Sequence, residues 1–215
     1  MDKGEEMIVP ALLTSKRKEL IQMVNVCAEF TDYVQIDIMD GEFVPSQSVT
    51  AQDLAGWNIP IRSEVHLMVT DPYPWLEPFK ALGVDRIIYH FEINKDHKKI
   101  INKIREMGLE VGLAVNPSTG IDDFRYLVGE LDTVLFMSVN PGFYGAPFIP
   151  GVLDKIKNFK NKYPQKQIGI DGGIKQDNLL QVKKAGLDYA CVGSAILKSN
   201  DPAKSFGELV KLFNG

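Results

Sequence analysis

Hydrophobic and polar positions along this chain switch repeatedly between a period of about two residues and one of about 3.6. Val34-Gln35-Ile36-Asp37-Ile38-Met39 alternates strictly. That predicts a strand with Ile36 and Ile38 on one face and Gln35, Asp37 and Met39 on the other. Strand-like runs recur at Met7 to Leu13, Ile61 to Met68, Arg86 to His90, Glu110 to Val115, Thr133 to Ser138, Gln167 to Asp171 and Tyr189 to Val192. Helical spacing fills the intervals. A helix capped by Ser15 runs to about Phe30, with Leu20, Ile21, Val24 and Cys27 on one face. A weaker piece covers Ala51 to Trp57, and Asp71-Pro72 opens the next helix as cap and first-turn proline. Further helices cover Asp96 to Met107 (closed by Gly108), Ile121 to Val128, Gly151 to Lys162, Gln176 to Ala185 and Pro202 to Phe213. Strand and helix thus alternate eight times without a linker or low-complexity tract. Such alternation calls for a parallel sheet, and eight units close a barrel. The expected fold is α/β, a single (β/α)8 barrel domain over residues 1–215. A doubly wound open sheet is the alternative, but no glycine-rich turn follows the first strand.

Composition narrows the function classes. The 215 residues are 45% hydrophobic with a net charge of −4, so no basic face invites nucleic acid or anionic lipid. No apolar run has the length of a membrane span, and Met1 to Glu6 lacks the apolar core of a signal peptide. Cys27 and Cys191 are far apart, each beside apolar residues, which suits reduced thiols. The expected location is the cytoplasm.

In such a barrel the active groups stand at the C-terminal ends of strands and on the loops that follow. Applied as a filter, this rule selects Asp37, His66, His90, Met137-Ser138, Asp171 and Gly193-Ser194. The third histidine, His97, is expected on a solvated helix face. A carboxylate inside a strand is costly unless paired, protonated or metal-bound. Asp37, His66 and Asp171 form an oxygen-plus-imidazole set suited to a divalent cation such as zinc or manganese. Asp171-Gly172-Gly173 and Gly193-Ser194 end the seventh and eighth strands, where barrels of this kind bind phosphate through backbone N–H groups. The loop Asn140 to Gly145 is long enough to act as a lid.

The segments at 35 to 45 (Gln-Ile-Asp-Ile-Met-Asp-Gly-Glu-Phe-Val-Pro), 65 to 68 (Val-His-Leu-Met), 116 to 119 (Asn-Pro-Ser-Thr), 137 to 143 (Met-Ser-Val-Asn-Pro-Gly-Phe) and 171 to 173 (Asp-Gly-Gly) resemble the ribulose-phosphate 3-epimerases. The resemblance covers nearly the whole chain in order. It implies a (β/α)8 barrel, a divalent cation (zinc, iron, manganese or cobalt) and epimerisation of a ketose phosphate at C3. It makes Asp37 and Asp171 both metal ligands and the acid–base pair, with His66 a further ligand. Met39, Met68 and Met137 would line the reacting carbon beside His66. Gly142, Gly145, Gly172, Gly173, Gly193 and Ser194 would hold the rest of the substrate, its phosphate above all. The family's first metal ligand is a histidine where this chain has Gln35, a weaker and harder donor that shifts preference away from zinc. Ala11 stands for a serine, Ser46 for an asparagine, and Tyr144 and Ala146 for a glycine and a glutamine. These departures leave two alternatives, an epimerase of a larger ketose phosphate such as a hexulose 6-phosphate and a catalytically impaired sugar-phosphate binder. A decarboxylase branch on the same barrel carries a lysine where Met39 stands, which counts against that chemistry. The expected partners are a small sugar phosphate and further copies of the chain, with neither nucleic acid nor membrane.

Overall fold

The computed structural model describes residues 7–142 and 146–215. Tyr144 and Gly145, named above, lie outside the described residues, as do Met1 to Glu6. Eight strands close into one barrel in sequence order, β1 (Met7–Leu12), β2 (Tyr33–Met39), β3 (Arg62–Met68), β4 (Arg86–His90), β5 (Glu110–Val115), β6 (Thr133–Met137), β7 (Gln167–Asp171) and β8 (Tyr189–Val192). Every pairing is parallel, including β1 with β8. The open doubly wound alternative is thereby excluded. The helices are α1 (Arg17–Cys27), α2 (Tyr73–Ala81), α3 (His97–Glu106), α4 (Ile121–Phe124), α5 (Val152–Lys162), α6 (Gln176–Lys183), α7 (Ser194–Leu197) and α8 (Pro202–Asn214).

The strict alternation in β2 has the expected result. Val34, Ile36 and Ile38 join the large apolar layer between strands and helices, while Gln35, Asp37 and Met39 turn into the lumen. The lumen carries a smaller apolar cluster that includes Val9, Ala11, Ile88, Leu135, Met137 and Cys191. Burial of both faces explains why the strands read as nearly continuous apolar runs. At Gly169 the ring of Tyr189 lies only 2.3 Å from where a Cβ would stand, so this residue's missing side chain makes room for a neighbour's.

Several local expectations are corrected. No helix forms over 51–57; turns connect β2 to β3, and the unit count is made up by two helices after β8. Gly56, with φ at 75°, is the backbone stop in that stretch. Ser15 does not cap α1. Thr14 does the local work, its hydroxyl accepting from the Lys16 N–H and donating to Glu19, and α1 stops at Cys27. Asp71 and Pro72 precede α2, with the Asp71 carboxylate accepting from the Tyr73 N–H at 3.1 Å. Asp96, expected as the first residue of its helix, is instead the cap of α3, accepting from the Lys99 N–H. His97 is not solvated. It is buried and stacks on Tyr89 and Phe91, with ring centroids 5.8 and 4.9 Å away. A single polar letter in an amphipathic helix does not reveal that its ring is sandwiched by aromatics from elsewhere in the chain.

Candidate active site

Strand register assembles the site. Asp37 pairs with His66 across β2 and β3, and Asp171 lies between Met137 on β6 and Cys191 on β8. All these residues stand at the C-terminal rim or one pleat below it, inside the lumen. The two carboxylates are brought together by shared donors. Gln35 Nε2 donates to Asp37 Oδ1 at 2.9 Å and to Asp171 Oδ2 at 2.8 Å. His66 Nδ1 stands 3.2 and 3.4 Å from the same two oxygens. Residues 134 apart in sequence therefore meet in one cluster, at the floor of a cavity of about 100 Å³.

The electrostatics follow from this crowding. Burial, with Asp171 close by, raises the Asp37 carboxyl to about 6, against the opposing pull of His66 and Gln35. Burial opposes charge on His66, but hydrogen bonds to Asp171 and Asp37 outweigh it and raise that imidazole to about 9. Below Gln35 its Oε1 accepts from the Cys191 thiol at 3.1 Å, and burial holds that thiol well above its ordinary range. Deeper in the lumen lies an ion cluster. Arg86 Nη1 donates to Glu64 at 3.0 Å, Nη2 to Gln167 at 2.9 Å, and Nε to Glu110 at 2.9 Å.

The rim places the remaining expected residues. Met39, Met68 and Met137 all line the cavity, as do Ala11, Gly142, Gly172, Gly173, Gly193 and Ser194. Gly172 needs to be glycine twice over, with φ at 114° and a Cβ position 2.5 Å from Val139 Cγ2. Ser138 ties this corner down, its hydroxyl donating to the Gly172 carbonyl at 2.6 Å. Ser46 donates to the Gly142 carbonyl at 2.6 Å, binding the loop after β2 to the loop after β6. Three residues escape functional notice in the sequence, Cys191, Lys175 and Glu92, which line or back the cluster. His90, which the strand-end filter selects without a role, backs it as well, against His66. Inward parity on β8 is the available signal for Cys191. Nothing local marked Lys175 or Glu92.

The donor set fits a divalent cation. Asp37, His66 and Asp171 each offer one ligand atom, all within 4.8 Å of one another, and two hard oxygens with one imidazole suit such an ion. Gln35 presents its N–H2 to the same oxygens and its carbonyl to Cys191.

Comparison with known proteins agrees with this geometry. The family model described as the ribulose-phosphate 3 epimerase family matches residues 7–197. A ribulose-phosphate 3-epimerase of Mycobacterium leprae is 32% identical over 211 residues, covering 94% of this chain and 93% of the relative. That of Escherichia coli is 31% identical over 211 residues, covering 94% of each. Among solved structures, 3-hexulose-6-phosphate synthase from Salmonella typhimurium superposes with a TM-score of 0.71 at 16% identity, over 96% of this chain and 98% of that one. Orotidine 5'-phosphate decarboxylase from Pyrococcus horikoshii gives 0.67 at 16% identity, over 97% and 100%. Likeness at that level speaks to the barrel alone. A match along nearly the whole sequence, together with two acids and a histidine converging in one barrel mouth, shows that the chain belongs to the ribulose-phosphate 3-epimerase family, a family of isomerases.

Proposed function

We propose that this chain interconverts D-ribulose 5-phosphate and D-xylulose 5-phosphate, with Asp37 and Asp171 as the proton-transfer pair. The observation that carries the reading is the meeting of these two carboxylates on Gln35 Nε2 and His66 Nδ1 at the floor of a cavity rimmed by glycine loops. C3 of the ketose is acidified by the neighbouring carbonyl. Inversion there needs a proton taken from one face and another delivered to the opposite face, and two carboxylates do this as base and acid, exchanging roles in reverse. Asp37, raised to about 6, is matched to proton exchange near neutral pH. Met39, Met68 and Met137 supply a dry, polarisable wall that keeps water from competing for the proton. Backbone N–H groups of Gly173, Gly193 and Ser194, with Gly142 and Gly172 shaping the close approach, take the phosphate.

Asp37, His66 and Asp171 would hold a divalent cation, which when bound supplies Lewis acidity to the negative charge that develops on the sugar oxygens. Gln35 joins them as an oxygen ligand only with its amide turned over from the orientation that Cys191 supports. Two carboxylates with one imidazole move the preference from zinc toward manganese. The reading also places the chain in the cytoplasm as a homo-oligomer. Two free, buried thiols suit the first, and sedimentation equilibrium tests the second, a monomer at micromolar concentration refuting it.

The function is tested by incubating purified protein with ribulose 5-phosphate in D2O, with Mn2+, Co2+ or Zn2+ supplied. Deuterium is expected at C3 together with xylulose 5-phosphate. Exchange confined to a hexulose 6-phosphate, or none with any ketose phosphate, refutes the assignment.

A further inference from the structure

We infer that Glu92 and His90 are positioning residues that fix the tautomer of His66, so that its Nδ1 lone pair is what the imidazole offers a cation between Asp37 and Asp171. This rests on the metal reading given above. Three buried or half-buried groups run in a line from the cluster. His66 Nε2 lies 2.9 Å from His90 Nε2, and His90 Nδ1 lies 3.2 Å from Glu92 Oε2. Both rings are wholly buried, and Phe43 packs on His90 with ring centroids 4.7 Å apart.

The direction of this line is set at its outer end. Glu92 Oε1 accepts from the Asn116 N–H at 2.8 Å and from the Thr119 hydroxyl. An ionised carboxylate has no proton to give, so Glu92 Oε2 accepts from His90, whose proton is therefore on Nδ1. A neutral imidazole has one donor and one acceptor nitrogen, which makes His90 Nε2 the acceptor. Two acceptors cannot face each other at 2.9 Å, so His66 donates from Nε2. The nitrogen left on His66 is Nδ1, the one beside both aspartates. A ligating histidine is commonly oriented through its second nitrogen in this way; here the orienting group acts through an intervening imidazole.

The critical variant is Glu92→Gln. The fixed Asn116 N–H keeps an oxygen at the Oε1 position, so the new amide N–H2 faces His90 Nδ1 and donates. The line then reverses, with His90 carrying its proton on Nε2 and His66 on Nδ1, where a cation would bind. Long-range 1H–15N correlation spectra identify the protonated nitrogen of each imidazole, and zinc affinity is read by competition with a chromophoric chelator. In the zinc-loaded protein we expect His90 Nδ1–H and His66 Nε2–H. Glu92→Gln should move the His90 proton to Nε2 and weaken zinc binding about 10- to 100-fold. Thr119→Val loosens the same loop without changing the acceptor and should leave both readouts in place. A His90 proton on Nε2 in a wild-type protein that takes up metal overturns the inference alone. So does an unchanged affinity in Glu92→Gln, or an equal loss in Thr119→Val. A wild-type protein that takes up no Zn2+, Mn2+ or Co2+ overturns the metal reading beneath it.

Discussion

Replacing Arg86 with methionine should test how the lumen supports the site. The guanidinium is 2% exposed and bonds Glu64, Glu110 and Gln167. Glu110 keeps a side chain 42% exposed, so its share is small. Glu64 has no such escape. It is fully buried, burial already raises its carboxyl against the pull of Arg86, and without Arg86 the Tyr33 hydroxyl at 3.1 Å is its chief donor. At the observed 3.0 Å an effective dielectric of about 20 gives an attraction of about 5 kcal/mol. Removing one partner of a buried pair costs about 3–5 kcal/mol, because the survivor is left uncompensated. Glu64 can relieve that cost by taking up a proton. Its folded pKa in Arg86→Met would then lie further above the unfolded value, so the relief is complete below the unfolded pKa and vanishes as pH rises through the folded one. Urea unfolding at pH 5 and pH 8 reads this directly. The loss should be about 3 kcal/mol or more at pH 8 and clearly smaller at pH 5, and Glu64→Gln in the same chain should remove the pH dependence. A loss below about 1 kcal/mol at pH 8, or one equal at both pH values, refutes the reasoning.

Other consequences follow from the site. Asp171→Asn should lower kcat by at least about 10³-fold with an unchanged circular dichroism spectrum, since an amide cannot accept the proton; near-normal turnover breaks the two-acid scheme. Gln35→His should raise zinc affinity, measured by calorimetry, and an unchanged affinity means position 35 does not face the cation. Gly172→Ala should cost about 1–3 kcal/mol in thermal unfolding and raise KM for the sugar phosphate, because φ there is 114° and Val139 lies 2.5 Å from the added carbon; a melting temperature and KM within error of wild type would count against the close fit. Burial, partly offset by Glu92, lowers His90 from 6.5 to about 4. This depressed pKa contributes stability above about 6.5 that is lost as pH falls through about 4, a total of about 3 kcal/mol. His90→Gln should flatten that acid limb in denaturant titrations, and a limb of unchanged slope assigns the loss to other groups.

The barrel was legible because strand parity and helix period carry it in short windows. Ile36 and Ile38 against Gln35, Asp37 and Met39 already state which face meets the helices. The acid pair was legible because strand-end positions in a closed barrel converge whatever their separation in sequence. The β2–β3 connection misled, since Ala51, Leu54 and Ala55 suit one helical turn but Gly56 and the approach to β3 leave no length for a second. His97 misled because its neighbours Tyr89 and Phe91 belong to another element. Glu92 was invisible for a related reason. Its partners His90, Asn116 and Thr119 come from two successive strand-to-loop junctions, and only the closed geometry puts one carboxylate between them.

The seam between β1 and β8, four residue pairs from Met7↔Tyr189 to Pro10↔Val192, has a consequence for synthesis. Asp37 leaves the ribosome about 150 residues before the strand that completes the wall around it. At 5–20 residues per second that interval is roughly 8–30 s. For most of it Asp171 is not yet made, and Asp37 and His66 stand in an unsealed sheet, with neither the floor beneath Gln35 nor the glycine rim yet built. Catalytic competence therefore arrives in one step with the final strand, and nascent fragments should carry none of it.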